Sequence, residues 1–464
     1  MTVSLLPNSI RLRRAARRHF GCGLCGEQLA AARAVLNGRD ALVVMPAGPR
    51  RSAGYRVPAT LLPGPTVVIS PRADRAAPAD GPTRLLFVTP EQLGRPERLA
   101  ELRALRPSLV AVEFAHCVSA FGHDFRPDYL PLGRLVRDLG SPPVIALTET
   151  ASPPVREDIV ARLRLRDPKL VVAGLDRPNL YLEAVGCAGE EDRWRRLLTR
   201  LRAAEGAGIA YVPTRRAAED LAERLVGEGV AASAYHGGMA AGERARRSEA
   251  FRSGDAPVMV ATSAFTTGVD KPDVRWVVHV GLPDSPDAYL HEIGLAGRDG
   301  EPARALLLYR PEDLAPQRLF VGGAPDRAEL ARVIRALGDG PARRTDIAAD
   351  LGLGTRRLAQ DLALLERVGA AVTLVNGRVT TPPYAPPPDE AVSLALREIG
   401  RHQTVQKSRI DAMLQLAEAH GCRGQHLLAH FGERLARPCG HCDNCRRGVI
   451  PAPRRSAENV LAPA

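Results

Sequence analysis

The stretch "DALVVMPAGPRRSAGYRVPA", residues 40–59, decides the fold. It opens with a short apolar run typical of a buried strand. A turn follows, with a serine at Ser52. That is the layout of a phosphate-binding loop, but such a loop is glycine-rich and ends in Lys-Ser or Lys-Thr. This one carries Pro49, Arg50 and Arg51 instead.

Similar runs recur on both sides. "TVVIS" (66–70), "LLFVT" (85–89), "LVAVE" (109–113) and "PVIALT" (143–148) alternate with helix-like stretches. The pattern restarts at "GIAYVP" (208–213) and continues through "VAASAYH" (230–236), "VMVATS" (258–263), "VRWVVHVG" (274–281) and "RALLLYR" (304–310). Strands alternating with helices predict parallel α/β sheets. Two such lobes are expected, joined near "LDRPNL" (175–180). From about residue 324 the chain reads as three helices and a β-hairpin turning at Asn376-Gly377, the pattern of a winged helix. "TTPPYAPPPDE" (380–390) reads as a proline-rich linker.

A chain of 464 residues is too long for a single core. With 45% hydrophobic and 25% charged residues its composition is that of a globular protein. No apolar run reaches about 18 residues, so no membrane span is expected, and the N-terminal stretch does not read as a secretion signal. The formal charge of +12 favours polyanionic partners, nucleic acid first. Nearly all of that charge is arginine, which GC-rich coding would also produce. Lysine occurs only at Lys169, Lys271 and Lys407, so no loop in the first third can hold the usual phosphate-binding lysine.

Cys422, Cys439, Cys442 and Cys445 form a C-x16-C-x2-C-x2-C cluster. Four thiolates suit a closed tetrahedral structural zinc site, and eight cysteines, few for this length and half of them in one cluster, point to a reducing compartment rather than a disulfide framework. "CGLC" (22–25) has no partner pair nearby and reads as coincidence.

"EFAHCVSAFGHDFRPDY" (113–129), "LDRPNL", "YHGGM" (235–239), "ATSAFTTGVDKPDVR" (261–275), "EIGLAGRDG" (292–300) and the four cysteines occur in that order. Together they resemble the RecQ family of superfamily 2 DNA helicases. The resemblance implies two RecA-like lobes with ATP and Mg²⁺ in the cleft, 3′-to-5′ movement on single-stranded DNA, and a zinc module. The implied domains are lobe one at 1–178, lobe two at 179–320, a winged-helix-like domain at 324–381, the linker at 382–390, the zinc module at 391–447 and a disordered tail at 448–464. In the family a winged helix usually follows the zinc module; here it precedes it.

The same resemblance shows where the chemistry departs. Gly48 and Ser52 match the family's phosphate loop, and Gln28 matches its adenine-reading glutamine. Pro49 lacks an N–H, and Arg50 stands at a glycine position. Arg51 replaces the lysine with a bulkier planar fork. The family's Asp-Glu-Ala-His reads Glu113-Phe114-Ala115-His116 here, so the residue that orients the attacking water is an aromatic ring. Glu149 departs from the third motif between Thr148 and Thr150. The first of two family arginines is Leu295, while Arg298 remains. Glu113, His116 and Arg298 are the remaining catalytic candidates. Phe121, His123, Phe125 and Arg126 match the loop that couples DNA to the ATP site. Lys271 and the winged-helix residues Arg356 and Arg357 complete the candidate DNA contacts.

The expectation is a cytoplasmic, nucleoid-associated, monomeric DNA-binding protein of helicase descent acting in repair or recombination, with a degenerate ATPase centre. Single-stranded or partly single-stranded DNA is the expected partner. A slow helicase using Arg51 as the cation, and an ATP-independent DNA binder led by the winged helix, are the other readings.

Overall fold

A computed structural model of the chain describes residues 7–21, 23–46, 49–71, 85–119, 126–266, 269, 271–313, 326–374 and 377–447. The chain divides into two compact units. The first joins residues up to Ala173 with Arg318–Ser408; the second joins Gly174–Gln317 with the residues from Arg409 onward.

The first unit is built on β1 (Ala41–Val44), β2 (Thr66–Ile69), β3 (Leu85–Val88), β4 (Leu109–Val112), β5 (Val144–Thr148) and β6 (Lys169–Val172). All pair in parallel, in the order β3-β2-β4-β5-β1-β6. Every residue of β1, β2, β4 and β5 is buried. That suits continuous apolar strands covered on both faces by helices. Asp40, at the foot of β1, is also buried; its carboxylate accepts the N–H of Val144 at 2.8 Å and of Arg166 at 2.6 Å. One side chain thus ties the starts of β1 and β5 to the approach to β6.

The second unit holds β7 (Leu180–Gly186), β8 (Gly208–Tyr211), β9 (Ala232–Tyr235), β10 (Val258–Ala261), β11 (Trp276–Val280) and β12 (Ala303–Tyr309). Their order is β7-β12-β11-β8-β10-β9, again all parallel. Gly208 pairs with Trp276 across β8 and β11, and a Cβ at 208 would lie 2.0 Å from the indole. The bulky Trp276 therefore needs glycine opposite it.

Both lobes are built on parallel sheets, as the alternation predicted. β6 and β7, on either side of "LDRPNL", were not expected. β6 begins at a lysine and is half exposed, so it lacks the apolar run of an inner strand.

Helices Arg327–Gly338, Arg344–Leu351 and Thr355–Arg367 are followed by the antiparallel β13 (Val372–Thr373) and β14 (Val379–Thr380), the expected winged-helix pattern. Gly377 takes the positive φ of 76° that the turn requires; Asn376 lies outside the described residues. Leu330, Ile334, Leu358, Leu362 and Leu365 form the core, and Ala391, Val392 and Ala395 complete it. Those three belong to a long helix, Pro388–Glu418, which starts inside the stretch read as a linker. The cysteine module follows in the second unit, with helices Arg423–His430 and Asp443–Arg446.

Candidate functional site

In an open parallel sheet, ligands bind beyond the carboxyl ends of the strands. Here β4, β5 and β1 are adjacent. Their carboxyl ends lead to Glu113 and Phe114, to Glu149 and Thr150, and to the helix Pro49–Ala59 that carries Arg51 and Ser52. Register places Val44 beside Thr148, so the chain leaves β1 and β5 side by side.

Arg51 is buried. Its Nη1 lies 3.2 Å from Glu149 Oε1, and both side chains are about nine-tenths buried. The guanidinium carbon sits 5.6 Å from the centroid of the Phe114 ring, within cation–π range. Phe114 itself is held at φ 53°, a left-handed conformation that is uncommon for a bulky residue. Three departures from the family motifs thus form one cluster: cation, carboxylate and aromatic ring.

The neighbours are engaged too. Glu113 Oε1 accepts the hydroxyl of Tyr55 at 3.1 Å. Burial, reinforced by the Glu113 carboxylate, pushes the Tyr55 phenol well above its ordinary pKa. His116 is buried, with Nδ1 2.8 Å from Thr148 Oγ1. Because Thr148 donates its hydroxyl proton to the Thr150 carbonyl, His116 Nδ1 carries the proton in their contact. Gln28 is buried at the start of the helix Gly26–Leu36, where its Oε1 accepts the Cys25 N–H at 2.8 Å. The carbonyl of the expected adenine reader thus serves as a helix cap. Gly48 lies outside the described residues, as do the side chains of Pro49 and Arg50.

In the second unit, Arg298 donates to the carbonyls of Val269 at 2.9 Å and Gly294 at 3.3 Å, and Leu295 is fully buried. Lys271 Nζ lies 3.2 Å from Asp273 and 3.4 Å from the Arg252 carbonyl, with its side chain only 11% exposed. His279 Nε2 lies 2.7 Å from Glu292, both buried.

Among the other candidate DNA contacts, Phe121, His123 and Phe125 lie outside the described residues; Arg126 is half-buried, and its N–H donates to the Cys117 carbonyl. Arg357 Nε donates to Glu329 at 2.6 Å, and the Arg356 side chain is not among those described.

The four cysteine sulfurs lie within 4.8 Å of one another. Cys439 and Cys445 are 3.9 Å apart, close to the roughly 3.8 Å edge of a tetrahedron with Zn–S bonds of about 2.3 Å. Cys422 Sγ accepts N–H groups from Gln425 and Cys439, and Cys442 Sγ accepts one from Cys445. Hydrogen bonding with its neighbours holds the Cys442 thiol well below its usual range, whereas burial pushes Cys445 up to about 11. A dication resolves that conflict by favouring all four thiolates. The set fits structural zinc.

The module is fastened to its lobe. Arg423 and Asp443 form a buried fork, Nε–Oδ1 2.6 Å and Nη2–Oδ2 2.9 Å. Leu182 N–H donates to the His441 carbonyl, and His441 Nδ1 is 2.9 Å from the Leu180 carbonyl, so the module pairs with the outer edge of β7.

The pairing of Arg51 with Glu149 was missed from sequence. The available signal was that two separate motif departures carry opposite charge.

Residues 191–300 match the family described as helicase conserved C-terminal domain, and residues 393–446 match RecQ zinc-binding. The chain is 29% identical to the probable ATP-dependent DNA helicase RecS of Bacillus subtilis (strain 168), over 92% of this chain and 90% of the relative. It is 36% identical to the ATP-dependent DNA helicase RecQ of the same organism, over 60% of this chain and 52% of the relative. Against the RecQ of Pasteurella multocida (strain Pm70), identity is 30%, over 89% of this chain and 58% of the relative. The chain therefore spans nearly all of the first relative and little more than half of the other two. The fold is similar to that of the Mycobacterium smegmatis helicase Lhr bound to ssDNA and AMP-PNP (TM-score 0.50, 19% identity, 84% of this chain and 61% of that one). It is also similar to the helicase MrfA bound to DNA and AMPPNP (TM-score 0.50, 16% identity, 84% and 64%).

Proposed function

Because the chain belongs to the RecQ family of superfamily 2 helicases, we propose that it binds DNA as a RecQ-like protein whose ATPase centre is lost or greatly weakened. The observation that carries this reading is the buried Arg51–Glu149 pair against Phe114. In an intact site a cation reaches the β/γ-phosphates and a second group orients the attacking water. Here the cation already has a carboxylate partner, and the ring of Phe114 cannot accept a proton. General-base catalysis alone is worth roughly 10²–10⁴-fold. ATP and Mg²⁺ therefore fit these residues poorly, and no hydrolytic step is assigned to them.

The zinc module braces lobe two. The net charge of +12 and the names of the relatives support DNA as the partner, single-stranded or partly single-stranded, in repair or recombination within the cytoplasm. A monomer is the simplest state. The complete core of the winged helix favours a second reading, in which that domain leads an ATP-independent regulatory DNA binder.

The test is DNA-stimulated phosphate release from purified protein. Turnover far below one per second is expected, and Arg51→Lys alone should recover little, because Phe114 and Pro49 remain. Turnover near one per second, within the ordinary enzyme range, overturns the reading.

A further inference from the structure

We propose that Glu149 is a built-in stand-in for a nucleotide phosphate: its carboxylate holds Arg51 in the place where an incoming phosphate would bind. The inference rests on the reading of a degenerate centre and goes further, because it gives Glu149 a specific part in the loss of nucleotide binding.

The position comes first. Glu149 follows β5 and Arg51 lies in the helix after β1, and β1 and β5 are neighbouring parallel strands. The two side chains meet beyond the carboxyl ends, where phosphate would lie in such a sheet. The chemistry matches as well. A guanidinium fork recognises carboxylate and phosphate oxygens by the same geometry. The Phe114 ring lies over the guanidinium, with its centroid 5.6 Å from the central carbon. Decay of an unused pocket supplies no reason for a cation, an anion and a ring to replace three motif residues and then fit one another.

The pairing is also hard to displace. A phosphate that took Arg51 would break its ion pair with Glu149, whose side chain is nine-tenths buried. Breaking a buried pair weakens such an exchange by roughly 10²–10⁴-fold in dissociation constant. Arg51 Nη1 makes no well-aligned hydrogen bond although it is buried, so an oxyanion of better geometry has a donor available once Glu149 is gone.

The experiment titrates Mg-ATP and, separately, inorganic tripolyphosphate into the full chain by calorimetry. Wild type should show no binding at millimolar ligand. Glu149→Ser should bind at least one of the two at least 100-fold more tightly, and adding Arg51→Ala should abolish the gain. Glu149→Gln keeps the shape of the side chain and guards against misfolding; it should gain binding in the same direction, with thermal melting confirming a folded chain. Micromolar Mg-ATP binding by wild type overturns both this inference and the degenerate centre. Folded Glu149→Ser and Glu149→Gln proteins that bind neither ligand overturn the stand-in alone. A gain that survives Arg51→Ala overturns it too.

Discussion

Replacing Asp443 with alanine should loosen the zinc module. The Asp443 side chain is 2% exposed and that of Arg423 7%. Asp443 sits between the ligands Cys442 and Cys445, and Arg423 follows the ligand Cys422, so the fork links both halves of the metal site. After Asp443→Ala, Arg423 keeps its donations to the Leu416 and Ala417 carbonyls but loses its counter-charge. Breaking a buried pair in this way costs about 3–5 kcal/mol. For a unit of this size each kcal/mol moves the midpoint by about 2–4 °C, so the transition should fall by roughly 6–20 °C. The assay is thermal unfolding followed by circular dichroism, with a zinc indicator reporting metal release in the same scan. Release should move down with the transition. The apolar double variant Arg423→Met with Asp443→Leu should melt well above Asp443→Ala, because it strands no charge. A single variant melting within about 2 °C of wild type would refute the argument. So would a double variant that melts as low as the single one.

Three further outcomes are expected. Freshly purified, reduced protein should hold one zinc per chain by elemental analysis, and replacing Cys442 should lower both the metal content and the stability of the second unit. Burial, with the Glu329 carboxyl beside it, raises Asp361 to about 7 against about 4 in an unfolded chain. The folded state then binds the extra proton, so this group's contribution to stability falls as pH rises from about 4 to about 7; urea melts at pH 5 and pH 8 should differ in that direction, and Asp361→Asn should remove the difference. DNA affinity should fall steeply with salt and change little with ATP; a preference for blunt duplex that Arg356→Ala with Arg357→Ala removes would identify the winged helix as the reader.

The inner strands were legible because apolar runs such as "DALVVM" must be covered on both faces. The zinc site was legible because thiol spacing is a local signal. Edge strands β6 and β7 lack that apolar continuity, and their pairing is decided by distant partners. Asp40 looked like an ordinary strand-end residue; its burial becomes visible only when Val144 and Arg166 arrive from more than a hundred residues away. Lys271 matched a DNA-facing motif; its contact with Asp273, two residues on, is a local pairing that the motif alone does not announce. Arg51 and Glu149 each looked like an isolated loss. Only the parallel register of β1 and β5 turns two losses into a pair.

The interleaved division of the chain has a consequence for its synthesis. Lobe two is finished by residues that leave the ribosome after an excursion of roughly 90 residues belonging to the other unit. At about 5–20 residues per second, that delay lasts roughly 5–20 s. Throughout it, the outer edge of β7 lacks the His441 backbone that later pairs with Leu182. An uncovered strand edge is a template for pairing with another chain. The nascent protein is thus most exposed to aggregation after lobe two has emerged and before the last cysteines arrive.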